Sequence, residues 1–169
     1  VSYFVEEEFL GRAVEFVTAI GRTSAIEGSL ELSVGESSVS VGSNEFSVDL
    51  RTLTSDQRRR DNAIRDRWLQ SNTYPFAVFV AREVADLPAD AALGLPVAFK
   101  LDGEMTIREI TQPLTWDVTA TLEGDTLSGT AQSYLLMRDF GFEPPDIAGM
   151  LRVTDGVTLT MSFVATAAE

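Results

Sequence analysis

The strongest constraint on the fold is a strict two-residue alternation of apolar and polar side chains in three segments. These segments are FKLDGEMTIREI from residue 99, PLTWDVTATL from residue 113 and VTLTMSFVA from residue 157. Successive side chains of a β-strand point to opposite faces. The alternation therefore predicts antiparallel strands that bury one face and leave the other in water.

Further strands are predicted at residues 12–20, 25–34, 37–50, 76–84 and 126–137, and Gly124-Asp125 indicates a tight hairpin between two of the strands. A total of about eight strands is enough for an antiparallel sheet to close into a barrel. The small residues Gly103, Gly129 and Ala131 fall on inward positions, where they would either mark sharp bends or leave space in the lumen. Without a repeat or linker, residues 1–169 are predicted to form one all-β domain.

One short helix is predicted at about residues 55–70, with Ser55 as the N-cap and Tyr74-Pro75 beyond its end. Five of the chain's 13 basic residues crowd into this segment: Arg58, Arg59, Arg60, Arg65 and Arg67. Aspartates are interleaved with them at three- and four-residue spacing, which favours ion pairs along a structural helix. Contact with an anionic headgroup or a partner is the alternative interpretation of this cluster.

Composition excludes several kinds of chemistry. The chain has no cysteine and no histidine, which excludes disulfides, zinc sites built from those residues and a Ser-His-Asp triad. A net charge of -13 opposes binding to nucleic acid. Asp102 and Glu104 share a strand face, and the run Glu6, Glu7 and Glu8 is interpreted as a solvated edge. We therefore predict no catalytic residues, no metal site and no enzymatic activity.

Three segments carry a resemblance to a known family. The first, VDLRTLTSDQRRRDNAIRDRWLQSNTYPFAVFVA, contains Arg60-Asp61, Trp68-Leu69, Tyr74-Pro75 and Phe79. The second, LDGEMTIREITQPLTWDV, contains Gly103, Thr106, Ile107, Thr111 and Pro113, and the third is RDFGF at 138–142. In this order they resemble the YceI family of lipocalin-like, polyisoprenoid-binding proteins.

The chain departs from the family pattern at two places. Glu109 stands where the family has a glycine, and TSAIEGSLEL, with only Gly28 matching, replaces a segment that often carries a His-Ser pair. The resemblance implies an extended antiparallel lipocalin-like barrel of about eight strands with one short helix beside it. It assigns Arg60, Asp61, Trp68, Tyr74 and Pro75 to a structural motif.

The resemblance also implies a long apolar tunnel for an isoprenoid chain, such as a quinone tail or a polyprenyl lipid. The residues expected to line it are Phe46, Val48, Phe79, Leu101, Met105, Trp116, Leu135, Phe140, Met161 and Phe163. In any small barrel the same residues would form a solid core. The long loops 85–97 and 139–150 are expected to close near the tunnel's mouth.

The expected function is that of a non-enzymatic carrier that sequesters a polyisoprenoid, quinone or similar amphiphilic lipid. No cofactor beyond such a lipid and no nucleic-acid partner is expected. Family members are usually exported, so we expect a periplasmic, cell-surface or extracellular protein, and the start at Val1 suggests that a signal or anchor segment was removed. The alternative is a packed accessory domain that docks on a membrane complex or a partner protein through its acidic face or loop 139–150. The sequence leaves the oligomeric state open.

Overall fold

The computed structural model describes residues 1–10, 14–34, 39–89, 91–147 and 150–167. The first residues of the strands predicted at 12–20 and 37–50 lie outside these ranges. The strands are β1 (Ser2–Leu10), β2 (Val14–Arg22), β3 (Ile26–Val34), β4 (Val39–Asp49), β5 (Phe76–Ala85), β6 (Val97–Ile107), β7 (Ile110–Glu123), β8 (Thr126–Leu136), β9 (Asp146–Ile147), β10 (Leu151–Val153) and β11 (Gly156–Thr166). The helical elements are α1 (Arg58–Ala63), a π-helical turn that continues it (Ile64–Trp68), and two 3₁₀ turns (Leu50–Thr52 and Met137–Phe140).

All the strands form one antiparallel sheet in the order β3-β4-β5-β6-β7-β8-β11-β1, with β2 on the far side of β1. The two short strands β9 and β10 extend β1 beyond its pairing with β11. The predicted all-β antiparallel fold with one short helical segment is confirmed. The prediction of a single domain over 1–169 stays a prediction.

The two ends of the sheet meet where β2 and β3 join. These strands are one run of chain, separated only by residues 23–25, which we call the joint. β2 pairs with β1 and β3 pairs with β4, but no ladder connects the described residues of β2 and β3. The joint is instead hydrogen-bonded to the chain on either side of it, at the start of β1 and the end of β4. Thr23 N donates to Val1 O at 2.9 Å, and Asp49 N donates to Ala25 O at 2.9 Å. The sheet is therefore rolled into a tube whose ladder is not closed.

The two ends of this tube carry different connections. The closed end holds the helical segment between β4 and β5, the β6–β7 turn at residues 108–109 and the Met137–Phe140 turn. The opposite end, the mouth, holds the β5–β6 connection, described at residues 86–89 and 91–96, and the β7–β8 turn at 124–125. The expectation that loops 85–97 and 139–150 close over one mouth is wrong. One follows the end of β5 and the other follows the end of β8, and these strand ends lie at opposite ends of the tube.

The helix begins later than predicted, at Arg58, because Ser55 is held outside it. The carboxylate of Asp61 accepts hydrogen bonds from Ser55 N at 2.8 Å and Ser55 Oγ at 2.6 Å. Of the aspartates interleaved with the arginines, Asp56 pairs with Arg60 at 2.5 Å, whereas Asp61 accepts a hydrogen bond from Arg65 at its backbone oxygen, at 3.3 Å. None of the described helices is both long enough and apolar enough to cross a membrane.

The interpretation of the glutamate run as a solvated edge is wrong for its middle residue. Glu7 lies on β1 and is buried, whereas Glu6 is exposed. It shares the inward phase of Val5 and pairs with Arg60 of α1. A buried carboxylate is tolerated when an opposite charge bonds to it, which is the case here.

Candidate functional site: an apolar interior open at one end

Burial along the inner face of β6 changes from one end of the tube to the other. Phe99 and Leu101, on the mouth side, are half-buried, whereas Gly103, Met105 and Ile107 toward the closed end are buried. A solid core would bury all five positions, since they share one face of one strand. The interior is therefore accessible from the mouth and sealed at the other end.

Two further strands show the same gradient, whereas the inner face of β7, between β6 and β8, is buried from Leu114 to Ala120. On β11, Phe163, Met161 and Leu159 are half-buried and Val157 is buried. On β8, Leu127 is half-buried and Leu135 is buried. Three strands thus present half-buried apolar side chains to one space at the mouth.

The closed half of the interior is filled by aromatic side chains. The rings of Phe79 and Trp116 pack edge to face, with centroids 6.3 Å apart. A Cβ on Gly103 would collide with the Phe79 ring and the backbone oxygen of Val80. A Cβ on Gly129 would meet the backbone of Thr119 and Ala120. These glycines permit close approach between strands, so the suggestion that they leave space in the lumen is wrong.

The Met137–Phe140 turn seals the closed end. Phe140 is only 1% exposed, and the side chain of Gln112 donates to the backbone oxygen of Asp139 at 2.9 Å. Gly141 follows with φ of 73°, a left-handed conformation that favours glycine at the end of a turn. The aromatic start of loop 139–150 is thereby built into the core, while Ile147 and Met150 stay exposed.

The structure separates the predicted lining residues by burial. Nine of them lie on strands with their side chains inward, and Phe140 lies in the sealing turn. The buried group is Phe79, Met105, Trp116, Leu135 and Phe140, and the half-buried group is Phe46, Val48, Leu101, Met161 and Phe163. Three further half-buried inner residues were omitted from the prediction: Phe99 and Leu127 at the mouth, and Leu159 opposite Tyr3. Their signal in the sequence was the same two-residue phase as that of their neighbours.

Within the described part of the chain, the buried charged side chains are Glu7 and Asp61 at the base of the tube, where Tyr3 lies close to the pair of Glu7 and Arg60. Burial raises the pKa of Tyr3 to about 12; Arg60 opposes this rise, while Asp61 and the other nearby carboxylates add to it. Burial alone would lower the pKa of Arg60, but hydrogen bonds and charges from Glu7 and Asp56 hold that pKa above its usual value. No buried polar side-chain atom of the described residues lacks a hydrogen-bond partner. The cluster is therefore internally satisfied.

A separate groove of about 540 Å³ crosses β6, β7, β8 and β11 on the outer face of the sheet. Its lining includes outward-facing residues such as Lys100, Thr119 and Gln132. It also includes inward-facing residues such as Val118, but not Trp116 or Ala120, the next inward-facing residues of the same strand. This pattern is that of a shallow surface groove with a backbone floor. It is not the apolar interior.

The carboxylates that share the outer face of β6 are engaged by their neighbours. Asp102 accepts a hydrogen bond from Thr115, and Glu104 pairs with Arg82 at 2.6 Å. Over the ranges that the structure describes, no group of three or more acidic side chains is arranged to hold a metal ion.

An antiparallel tube with a one-ended apolar interior and a helix at its base defines a lipocalin-like all-β protein. The model of the YceI-like domain matches residues 6–165, and the chain belongs to this family. The resemblance noted in the sequence is thereby confirmed.

Solved structures share the fold at low sequence identity. BcnA of Burkholderia cenocepacia superposes with a TM-score of 0.70 at 17% identity, covering 97% of this chain and 96% of that chain. The Campylobacter jejuni YceI protein gives 0.66 at 14% identity, with coverage of 88% and 85%. A polyisoprenoid-binding domain from Saccharophagus degradans, implicated in plant cell wall breakdown, gives 0.61 at 13%, with coverage of 98% and 94%. No curated protein matches this chain.

The structure explains how Glu109 replaces the family's glycine. The left-handed residue of the β6–β7 turn is Arg108, with φ of 60°, so position 109 does not need glycine's conformational freedom. Glu109 accepts a hydrogen bond from Tyr74 Oη at 2.9 Å, and the Arg108 guanidinium lies 6.0 Å from the centre of the Tyr74 ring. The departure is thus accommodated by the Tyr74-Pro75 segment.

Proposed function

We propose that the protein is a non-enzymatic carrier that binds the apolar chain of an isoprenoid, quinone or similar amphiphilic lipid in the mouth half of its interior. The observation that carries this proposal is the burial gradient of β6, β8 and β11. It leaves apolar side chains accessible at one end of a tube that is sealed at the other. Family membership and the polyisoprenoid binding ascribed to the Saccharophagus degradans domain support the ligand class.

The chemistry of the lining suits a hydrocarbon chain. The half-buried residues at the mouth are aromatic, aliphatic or thioether side chains, without charge: Phe99, Leu101, Leu127, Met161 and Phe163. Burying a methylene stabilises a complex by about 0.8 kcal/mol, so a five-carbon unit contributes up to roughly 4 kcal/mol before the loss of chain freedom offsets part of it. A polar headgroup would stay at the rim, where water can solvate it.

In this role the protein shields a lipid that does not cross water unaided. The expected place of action is an exported compartment, periplasmic, cell-surface or extracellular, in which lipid moves between membranes or proteins. Because sequestration needs no bond to be made or broken, the proposal involves no catalytic residue and no cofactor.

Two adjacent residues of β11 provide a matched test. Met161 is half-buried on the inner face, and Ser162 is exposed on the outer face. Met161→Glu places a charge in the lipid site, and Ser162→Glu adds the same charge outside it. We expect Met161→Glu to weaken binding of the fluorophore N-phenyl-1-naphthylamine, and its displacement by geranylgeraniol, by at least about tenfold. Ser162→Glu should leave both unchanged.

Thermal unfolding of both variants establishes that they are folded. Equal affinities for native protein and Met161→Glu would contradict binding at the mouth. If the native protein takes up neither the dye nor geranylgeraniol, the interior is packed, and a docking role through the exposed residues of loop 139–150 replaces the carrier role.

A further inference from the structure

The rim of the mouth exposes a group of leucines on the β5–β6 connection and at the end of β7. Leu93 is 78% exposed and Leu95 is 60% exposed, both in the β5–β6 connection, and Leu87 and Leu122 are also exposed. We call these four residues the leucine rim. An exposed cluster of large aliphatic side chains is unfavourable in water and usually marks a contact surface.

The elements that carry the leucine rim are bonded to one another. Gly94 N donates to Leu122 O at 2.9 Å, which ties the β5–β6 connection to the end of β7. Ala167 N donates to Asp125 O at 2.9 Å, which ties the end of β11 to the β7–β8 turn. The two elements that carry the leucine rim are therefore tied to each other, and the adjacent β7–β8 turn is tied to β11.

The leucine rim adjoins the proposed lipid site. Leu95 is two residues before the start of β6, whose inner residues Phe99 and Leu101 are half-buried, and Leu122 pairs with Leu127 of β8. Apolar surface thus continues from the outside of the rim to the interior. A hydrocarbon chain that left a lipid layer beneath the rim would reach the interior without crossing water.

Charge around the rim selects the kind of lipid surface. The described charged residues beside the leucines are Asp86, Lys100, Glu123 and Asp125. Lys100, the one cation among these four, is paired with Asp86 at 2.8 Å. Anionic lipid surfaces attract basic segments and repel acidic ones. The rim therefore suits headgroups without net charge.

We propose that the leucine rim docks the mouth onto a bilayer of zwitterionic lipids, where the protein collects or delivers its cargo. The proposal rests on the proposed carrier function for its purpose, but the docking itself does not require cargo. Insertion of Leu93 and Leu95 into the interface supplies the attraction, as for other proteins that lie on a membrane surface.

The test is flotation of the full chain with phosphatidylcholine vesicles, together with the rate at which the protein takes up geranylgeraniol from them. In the variant Leu93→Asp/Leu95→Asp we expect at least about fivefold less co-flotation and at least about fivefold slower uptake. Equilibrium binding of N-phenyl-1-naphthylamine without vesicles should be unchanged, which shows that the interior is intact. The control Phe16→Asp/Met150→Asp changes two exposed apolar residues of β2 and the β9–β10 segment, away from the mouth, and should behave like the native protein.

Several results would overturn the docking proposal while leaving the carrier function standing. One is equal flotation of native protein and rim variant; another is flotation only with cationic vesicles, which would indicate attraction by the acidic surface. The docking proposal would also fail if native protein binds the dye but never floats, and if the rim variant takes up geranylgeraniol as fast as native protein does. Conversely, native protein that floats through its leucines but binds neither dye nor geranylgeraniol would preserve the docking and end the carrier proposal.

Discussion

Glu7 of β1 and Arg60 of α1, 53 residues apart in sequence, meet through two parallel hydrogen bonds. Arg60 Nε donates to Glu7 Oε1 at 3.0 Å, and Arg60 Nη2 donates to Glu7 Oε2 at 2.9 Å. The side chains are only 12% (Arg60) and 6% (Glu7) exposed. The planar fork of arginine matches the carboxylate, and the low exposure makes the pair far more consequential than a surface ion pair. It attaches the helix to the N-terminal strand at the base of the tube.

Removing one member of this pair should be strongly destabilising. Arg60→Gln leaves the Glu7 carboxylate buried without its counter-charge, and we expect the free energy of unfolding to fall by about 3–5 kcal/mol. Urea unfolding followed by tryptophan fluorescence measures the change. The double variant Glu7→Gln/Arg60→Gln should lose less than the sum of its two single variants, because neither charge is then left alone. Arg59→Gln, at an exposed position of the same helix, should change stability by less than about 0.5 kcal/mol. Equal losses at positions 59 and 60 would refute the anchoring role.

Tyr3 should make the protein sensitive to alkaline pH. Its pKa is about 12 in the folded state against an ordinary value of 10.0, so the folded state holds the phenolic proton more tightly than the unfolded state. The associated stability is fully present below pH 10 and is lost as the pH rises from 10 toward 12. After allowance for partial exposure we expect a loss of roughly 1–2 kcal/mol.

Urea unfolding at pH 8 and at pH 11, compared between native protein and Tyr3→Phe, isolates this contribution. The decrease should be smaller in Tyr3→Phe, whereas Tyr134→Phe, which alters an exposed tyrosine, should follow the native curve. A Tyr3→Phe variant with the full native decrease would show that other groups cause it.

Alanine substitutions at two inner glycines should differ in whether a second substitution can relieve their effect. At Gly21 a Cβ would collide with the ring of Tyr3, whereas at Gly103 it would collide with both the Phe79 ring and the Val80 carbonyl. Gly21→Ala and Gly103→Ala should each destabilise the fold by about 1–3 kcal/mol through overpacking. Trimming the ring should relieve the first collision and not the second, since a backbone oxygen cannot move aside.

Double-mutant cycles by urea unfolding check this contrast. Tyr3→Leu should offset part of the effect of Gly21→Ala. Phe79→Leu should not offset the effect of Gly103→Ala. The same coupling in both cycles would show that the backbone contact at Gly103 is unimportant.

Affinity should rise with ligand length and then level off. Each added five-carbon unit buries more hydrocarbon until the chain reaches Gly103, where the Phe79 ring closes the space. Displacement of N-phenyl-1-naphthylamine by geraniol, farnesol, geranylgeraniol and longer prenols measures the series. Affinity that does not depend on length would indicate that only the headgroup is recognised.

The regular strands were predictable because their sequences alternate with little interruption. β6, β7 and β11 follow from the two-residue phase alone, and that phase also sets which side chains face inward. The Gly124-Asp125 hairpin was also predictable locally, from the turn residues themselves, and the structure has Gly124 at φ of 57°.

The features that the sequence did not predict depend on contacts distant in the chain. β1 was missed because three successive glutamates hide its alternation, and only the arginine 53 residues later makes Glu7 an inward residue. The division of the lining into a packed half and an open half depends on which ends the connections cover. That is a property of the assembled sheet and not of any one strand.

The joint at residues 23–25 has a mechanical consequence. Widening an ordinary closed barrel requires an entire ladder of inter-strand hydrogen bonds to slide or break. Between the described residues of β2 and β3 there is no such ladder, and the tube is held together here by a few backbone hydrogen bonds to Val1, Asp49 and Thr54. The circumference of the tube can therefore change at the joint while every described ladder stays in register.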